Sequence, residues 1–190
     1  MLLVLSITAV LMVLRLAGEL ALSALNRGEV RRHAEAPPAA AAAMMDLATY
    51  RKSVAYTLAK SRLGVITGIF DTVVMAMVLF GGVLPWLFAW TVGWGAAQAV
   101  WSHAVFVLLA MLLLSVPSLP FEWWEQFRLE EKFGFNKSTV GLWVMDKIKG
   151  TVLMFAIGFP LLWALLSLVK WTGPSWWIWG FGLMFGFQLL

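Results

Sequence analysis

FEWWEQFRLEEKFGFNKSTVGLWVMDKIKG, residues Phe121–Gly150, stands between two long apolar blocks, and its reading decides the fold. The segment mixes acidic and basic side chains with Trp and Phe. The blocks beside it, Trp101 to Leu119 and Ile148 to Val169, run apolar almost without interruption, the first ending at the expected helix breakers Pro117 and Pro120. Roughly 20 mostly apolar residues are needed to cross the hydrocarbon layer of a membrane as a helix. A charged, aromatic-studded stretch between two such blocks is the polar connection of a membrane hairpin.

The rest of the chain extends the pattern. Leu2 to Leu25 is a further candidate span, interrupted by Arg15 and Glu19, and Gly64 to Leu87 is another, carrying Asp71. Ile148 to Val169 contains Pro160, a candidate kink, and Trp176 to Leu190 is a fifth, shorter span. The apolar core of the first span contains Arg15 and lacks a preceding basic region, which favours a retained helix over a cleaved signal peptide. The expected fold is all-α, a polytopic membrane helix bundle of about five transmembrane helices with short amphipathic elbow helices, forming a single membrane domain over residues 1–190. A last span that stops inside an apolar run reads as part of a longer chain.

Composition agrees. Hydrophobic residues make up 62% and charged residues 13%, against about 25% charged in soluble domains. Cysteine is absent, which excludes disulfides and thiolate chemistry. The net charge of +4 does not imply nucleic acid as a partner, because the basic residues flank membrane spans where topology accounts for them.

Loop charge sets an expected orientation. Arg27, Arg31, Arg32, Arg51, Lys52, Lys60 and Arg62 lie between the first two spans, and Arg128, Lys132, Lys137, Lys147 and Lys149 follow the third. The other two connections hold only Lys170. The positive-inside bias places the basic loops in the cytoplasm and the N-terminus outside. Compact loops and the Pro-Ala linker Glu35 to Ala43 point to a bacterial inner membrane, with membrane lipid as the surrounding partner. From Asp46 onward, Leu47, Tyr50, Val54 and Leu58 recur at helical spacing. This reads as an amphipathic helix at the membrane surface feeding the second span, either a simple elbow or a contact for lipid or a substrate tail.

Candidate chemistry is sparse. The two histidines, His33 and His103, are far apart, and neither begins a His-Glu-x-x-His helix, so this chain offers no catalytic or metal-binding residue set. No nucleophile elbow or phosphate-binding loop is present. Ionisable groups within spans are the default functional candidates: Arg15, Glu19 and Asp71. Arg15 and Glu19, four apart, share a helix face and can pair. Asp71 can be held by Arg15 or by a hydroxyl such as Thr67 or Thr72. Gln98 and His103 are weaker candidates. In the third loop, Gly134 marks a turn, and Ser138 or Thr139 can cap a short helix with Val140, Trp143, Val144 and Ile148 on its apolar face. That makes Glu130, Glu131, Gly134, Phe135, Asn136, Lys137 and Asp146 a candidate cytoplasmic elbow.

Those same residues carry a resemblance. Glu130-Glu131-Lys132-Phe133-Gly134-Phe135-Asn136-Lys137, followed by Asp146-Lys147-Ile148-Lys149-Gly150, resembles the N-terminal membrane region of the type I CAAX prenyl proteases, which are integral-membrane zinc metalloendopeptidases. Pro37-Pro38, the run Tyr56 to Arg62, and Trp176-Trp177-Ile178-Trp179 resemble further pieces in the same order. The resemblance implies helices that help to enclose an intramembrane chamber, with zinc and its ligands in a C-terminal protease half beyond this chain as the partner. No catalytic residue carries over. The expected function is a transmembrane scaffold for such a protease, and a non-enzymatic membrane adaptor or small transporter-like protein is the alternative.

Overall fold

The computed structural model describes residues 2–93 and 99–189. Gln98, and Leu190 at the end of the fifth span, lie outside them. Every regular element among the described residues is helical. They fall into two compact units, Met1–Gly81 with Val116–Val140 and Gly82–Ser115 with Gly141–Leu190.

In the first unit, α1 (Leu2–Arg32) is followed by the single turn α2 (Ala39–Ala42) and by α3 (Leu47–Phe80). Asp46 starts α3, its carboxylate accepting the Thr49 N–H at 2.8 Å, as an N-cap side chain does for an otherwise unpaired helical donor. From there α3 runs unbroken for 34 residues. The surface helix expected from Asp46 and the second span are therefore one element. At 1.5 Å per residue it is roughly 50 Å long, well beyond the roughly 30 Å hydrocarbon layer. Its Leu63 to Phe80 stretch, with Asp71 as the sole ionisable residue, matches that layer in length.

The expected span Gly64 to Leu87 is cut short. The helix ends at Gly81, whose N–H reaches the Met77 carbonyl at 2.8 Å. Gly82 then takes φ +76°, a left-handed conformation that glycine adopts without the clash of a Cβ. Helices α1 and α3 pack together: the Ser23 and Ser61 hydroxyls lie 3.0 Å apart, and a Cβ on Gly68 would sit 3.9 Å from Glu19 Oε2.

Pro117 and Pro120 do not end the helical structure as the sequence suggests. Pro117 falls in a 3-10 turn (Val116–Ser118), and Pro120 lies in the first turn of α6 (Leu119–Trp124), where its missing N–H costs no hydrogen bond. A π-helical turn (Glu125–Glu130) and the short α7 (Glu131–Phe133) follow. Much of the supposed charged loop is therefore helix.

In the second unit, α4 (Val83–Val92) and α5 (Val100–Ser115) bury Leu87, Thr91, Ser102, Ala104 and Leu108. The Thr91 hydroxyl donates to the Leu87 carbonyl at 3.0 Å, so its polar atom is satisfied within its own helix. Helix α8 (Val140–Thr172) carries Pro160 inside it and packs closely on α5, since a Cβ on Gly158 would meet Leu108 at 3.2 Å. The short helix expected after Ser138 is thus the first part of α8 itself. Gly173, at φ +55°, breaks the run before α9 (Trp176–Gln188). A Cβ on Gly180 would lie 3.2 Å from Leu165, so α9 folds back onto α8.

Among the described residues, four helical runs are long and apolar enough to cross a membrane: Leu2–Arg32, Leu47–Phe80, Val100–Phe133 and Val140–Gln188. Many of their large apolar side chains are exposed, Leu2, Met111, Trp171 and Phe181 among them. In lipid, this is the expected state of a helix bundle surface.

Candidate functional site

The elbow after the third apolar span is the most organised polar feature of the first unit. It is built on the π-helical turn, whose wider winding places Glu125 and Glu130 toward α3. Lys60 Nζ lies 3.0 Å from Glu125 Oε1 and 3.4 Å from Glu130 Oε1. The Tyr56 hydroxyl, one helical turn before Lys60, donates to Glu130 Oε1 at 2.5 Å. That distance is at the short end for a hydroxyl on a carboxylate, where the charge strengthens the bond. The Tyr56 ring also meets Phe133 and Phe135 edge-on, at centroid separations of 5.3 and 4.9 Å. One side chain thus holds the polar and aromatic halves of the elbow together.

Turn chemistry completes it. Gly134 has φ +80°, and the N–H groups of Phe135 and Asn136 both reach the Glu130 carbonyl, at 2.8 and 3.3 Å. Asn136 Oδ1 accepts from Gln126 Nε2 at 2.7 Å and from the Ser138 N–H at 2.9 Å. The side-chain amide thereby closes a local turn of its own. Lys52 approaches the Phe135 ring to 6.0 Å.

Tyr56 and Lys60 precede the apolar Leu63 to Phe80 stretch, outside its membrane-spanning length. The carboxylate of Glu130, followed by burial, pushes the Tyr56 phenol above its ordinary range. The hydrogen bond to Glu125, and then that with Tyr56, raises the Lys60 ammonium. Both groups keep their protons, Lys60 as the cation between two carboxylates.

Of the residues singled out in the sequence, Glu130, Gly134, Phe135 and Asn136 converge here. Glu131 and Lys137 are exposed, and Asp146 lies in α8 in the second unit. Tyr56, Lys60 and Gln126 were not recognised as partners. The 3-to-4 spacing of Tyr56 and Lys60 on one helix face was visible, but the carboxylates they meet are about 70 positions away.

The other candidates are placed differently. Arg15 Nε pairs with Glu19 Oε1 at 2.8 Å, as their spacing suggests. Asp71 accepts from the Ser118 hydroxyl at 2.9 Å, whereas Arg15 is committed to Glu19. Thr67 and Thr72 bond instead to the carbonyls of Gly64 and Gly68 in their own helix. His33 and His103 each place Nδ1 near a main-chain carbonyl one turn back, Glu29 and Ala99. Among the described residues no three His, Cys, Asp or Glu side chains are grouped to hold a metal ion.

Comparison with known proteins matches residues 26–190 to the family described as CAAX prenyl protease N-terminal, five membrane helices. A CAAX prenyl protease 1 homolog of Homo sapiens is 32% identical over 155 residues, covering 77% of this chain and 33% of its own length. Its counterpart in Oryza sativa subsp. japonica is 31% identical over 147 residues, covering 74% of this chain and 35% of its own. The chain therefore spans about a third of the length of these curated relatives. The crystal structure of S. mikatae Ste24p superposes with a TM-score of 0.78 at 24% identity, covering 94% of this chain and 44% of that one. That likeness is one of fold.

Proposed function

The chain belongs to the CAAX prenyl protease N-terminal membrane family, and from that premise we propose that it is the transmembrane scaffold of a zinc metalloendopeptidase. Its helices help to form the intramembrane chamber, and its elbow presents a fixed surface to a C-terminal zinc-bearing half. The observation that carries this reading is the clamp on the elbow. Tyr56 and Lys60 hold Glu125 and Glu130, while Gly134 and Asn136 fix the turn beyond them. A docking surface gains affinity when it is ordered beforehand, because less conformational entropy is lost on assembly. Every metal ligand of the assembled enzyme would come from outside the residues described. The charge of the first and third connections supports a cytoplasmic position for the elbow and an external N-terminus.

The test is co-expression of the tagged chain with a zinc-bearing C-terminal half from a related protease, reading co-purification, bound zinc and cleavage of a prenylated peptide. Association with cleavage is expected. A chain that folds and purifies alone yet never associates would remove the scaffold role and favour a membrane adaptor without proteolytic chemistry.

A further inference from the structure

Beside the clamp, on another face of the same unit, Arg62 of α3 and Arg128 and Lys132 of the elbow rim an open groove of about 390 Å³. Its floor is apolar: Leu63 and Ile66 from α3, with Leu129 and Phe133 from the elbow. No carboxylate lines it. The acidic side chains that could have neutralised this rim, Glu125 and Glu130, are turned to Lys60 and Tyr56. Arg128 and Lys132 stack near the rings of Trp123 and Phe133, at 6.0 and 5.8 Å. None of the three cations makes an ion pair with a carboxylate among the described residues.

The groove also sits at a defined depth. Arg62 immediately precedes the apolar Leu63 to Phe80 stretch of α3, so the rim stands at the polar end of that stretch and the floor runs along its first apolar turn. Trp124, which lines the same groove, is 54% exposed at the level where indole rings prefer to lie.

We propose that this groove is a binding site for an anionic phospholipid, whose phosphate headgroup lies among Arg62, Arg128 and Lys132 and whose acyl chain lies against Leu63 and Ile66. Charge complementarity selects the occupant. Three uncompensated cations, two of them guanidinium groups with forked donors, suit a phosphate. The adjoining apolar floor suits the chain attached to it, and basic pockets between membrane helices hold such headgroups. The site depends on the elbow's geometry and is independent of any protease partner.

Native mass spectrometry of the full chain, released from micelles containing phosphatidylglycerol or phosphatidylcholine of identical acyl chains, tests it. The wild-type chain should retain one phosphatidylglycerol in preference to phosphatidylcholine. The variant Arg62→Gln/Arg128→Gln/Lys132→Gln should lose that preference by roughly a hundredfold, and each single substitution by on the order of fivefold, from the usual worth of a cation near an anionic surface. A control of equal charge change, Arg27→Gln/Arg31→Gln/Lys149→Gln, should keep it. Equal retention of the two lipids by the wild-type chain would overturn the site even if the triple variant failed to fold. So would single variants that behave as wild type. Displacement by inorganic phosphate, or by a soluble peptide with a free C-terminal carboxylate, would reassign the groove to those anions and overturn the lipid.

Discussion

At the scale of single residues, Tyr56 does the most varied work in the first unit. It donates to Glu130 and wedges its ring between Phe133 and Phe135. Replacing it with Phe keeps the ring contacts and deletes the hydroxyl. A hydrogen bond to a charged group contributes about 1.5–3 kcal/mol, and the half-exposed setting argues for about 1 kcal/mol here. For a chain of this size that is a fall in melting temperature of about 2–4 °C. Tyr56→Phe should also speed trypsin cleavage at Lys132 and Lys137, where the elbow opens. Unchanged melting and unchanged cleavage together would show that the clamp holds nothing. Titration tests the same contact from another side. The folded-state pKa values of Tyr56 and Lys60 are both raised. Their contribution is therefore fully present below their ordinary values, about 10 and 10.4, and is lost as pH rises through the raised ones. The chain has two tyrosines, so Tyr50→Phe isolates Tyr56. Its tyrosinate absorbance should rise at higher pH than that of a free tyrosine, and Glu130→Gln should bring the midpoint back down. A Tyr56 that ionises at the ordinary value in both proteins would contradict the short bond to Glu130.

At the scale of elements, glycines separate necessity from tolerance. Gly134 ends α7 at φ +80°, where a side chain costs about 1–2 kcal/mol. Gly150 lies inside α8 with open space around it, where Ala in place of Gly gains about 0.5–1 kcal/mol. Gly134→Ala should therefore lower the melting temperature and Gly150→Ala should raise it, and opposite signs in a thermal scan are the expected result. A neutral Gly134→Ala would mean that the turn is not held in the left-handed region in solution. The same elements show what the sequence could reveal. Apolar blocks and loop charge are local signals, so the membrane helices and the Gly134 turn were legible. The Arg15–Glu19 pair was legible because one helix carries both residues. The end of α3 at Gly81, against an expected run to Leu87, was not, because the residues beyond Gly82 are as apolar as those before it. The Pro117 and Pro120 breakers misled for a related reason: a proline in a first turn starts a helix as readily as another ends one. The clamp of Tyr56 and Lys60 on Glu125 and Glu130 joins two segments distant in sequence, and no local pattern encodes that meeting. The Asp71–Ser118 bond was missed on the same ground.

At the scale of the whole molecule, the distribution of charge predicts which end of each helix faces the cytoplasm. Basic residues crowd the connection between α1 and α3 and the elbow leading into α8, whereas the turn from α8 to α9, with Gly173 and Pro174, follows only Lys170. Moving Lys or Arg across a bilayer is costly, so this asymmetry predicts an orientation with the basic connections in the cytoplasm. The prediction is a cytoplasmic elbow and an external α8–α9 turn, since α8 is long enough to cross. The absence of cysteine makes the test clean. Single substitutions Lys137→Cys in the elbow and Ser175→Cys in the turn, both at exposed positions, introduce the sole thiol in each protein. A membrane-impermeant maleimide added to intact cells should label Ser175→Cys at once and Lys137→Cys only after permeabilisation. The reverse pattern would invert the orientation and remove the proposed role of the elbow toward a cytoplasmic partner. Labelling of both from one side would mean that α8 does not span the membrane. With the expected pattern, the clamp and the basic groove would both face the cytoplasm, and the proposed anionic lipid would come from that leaflet.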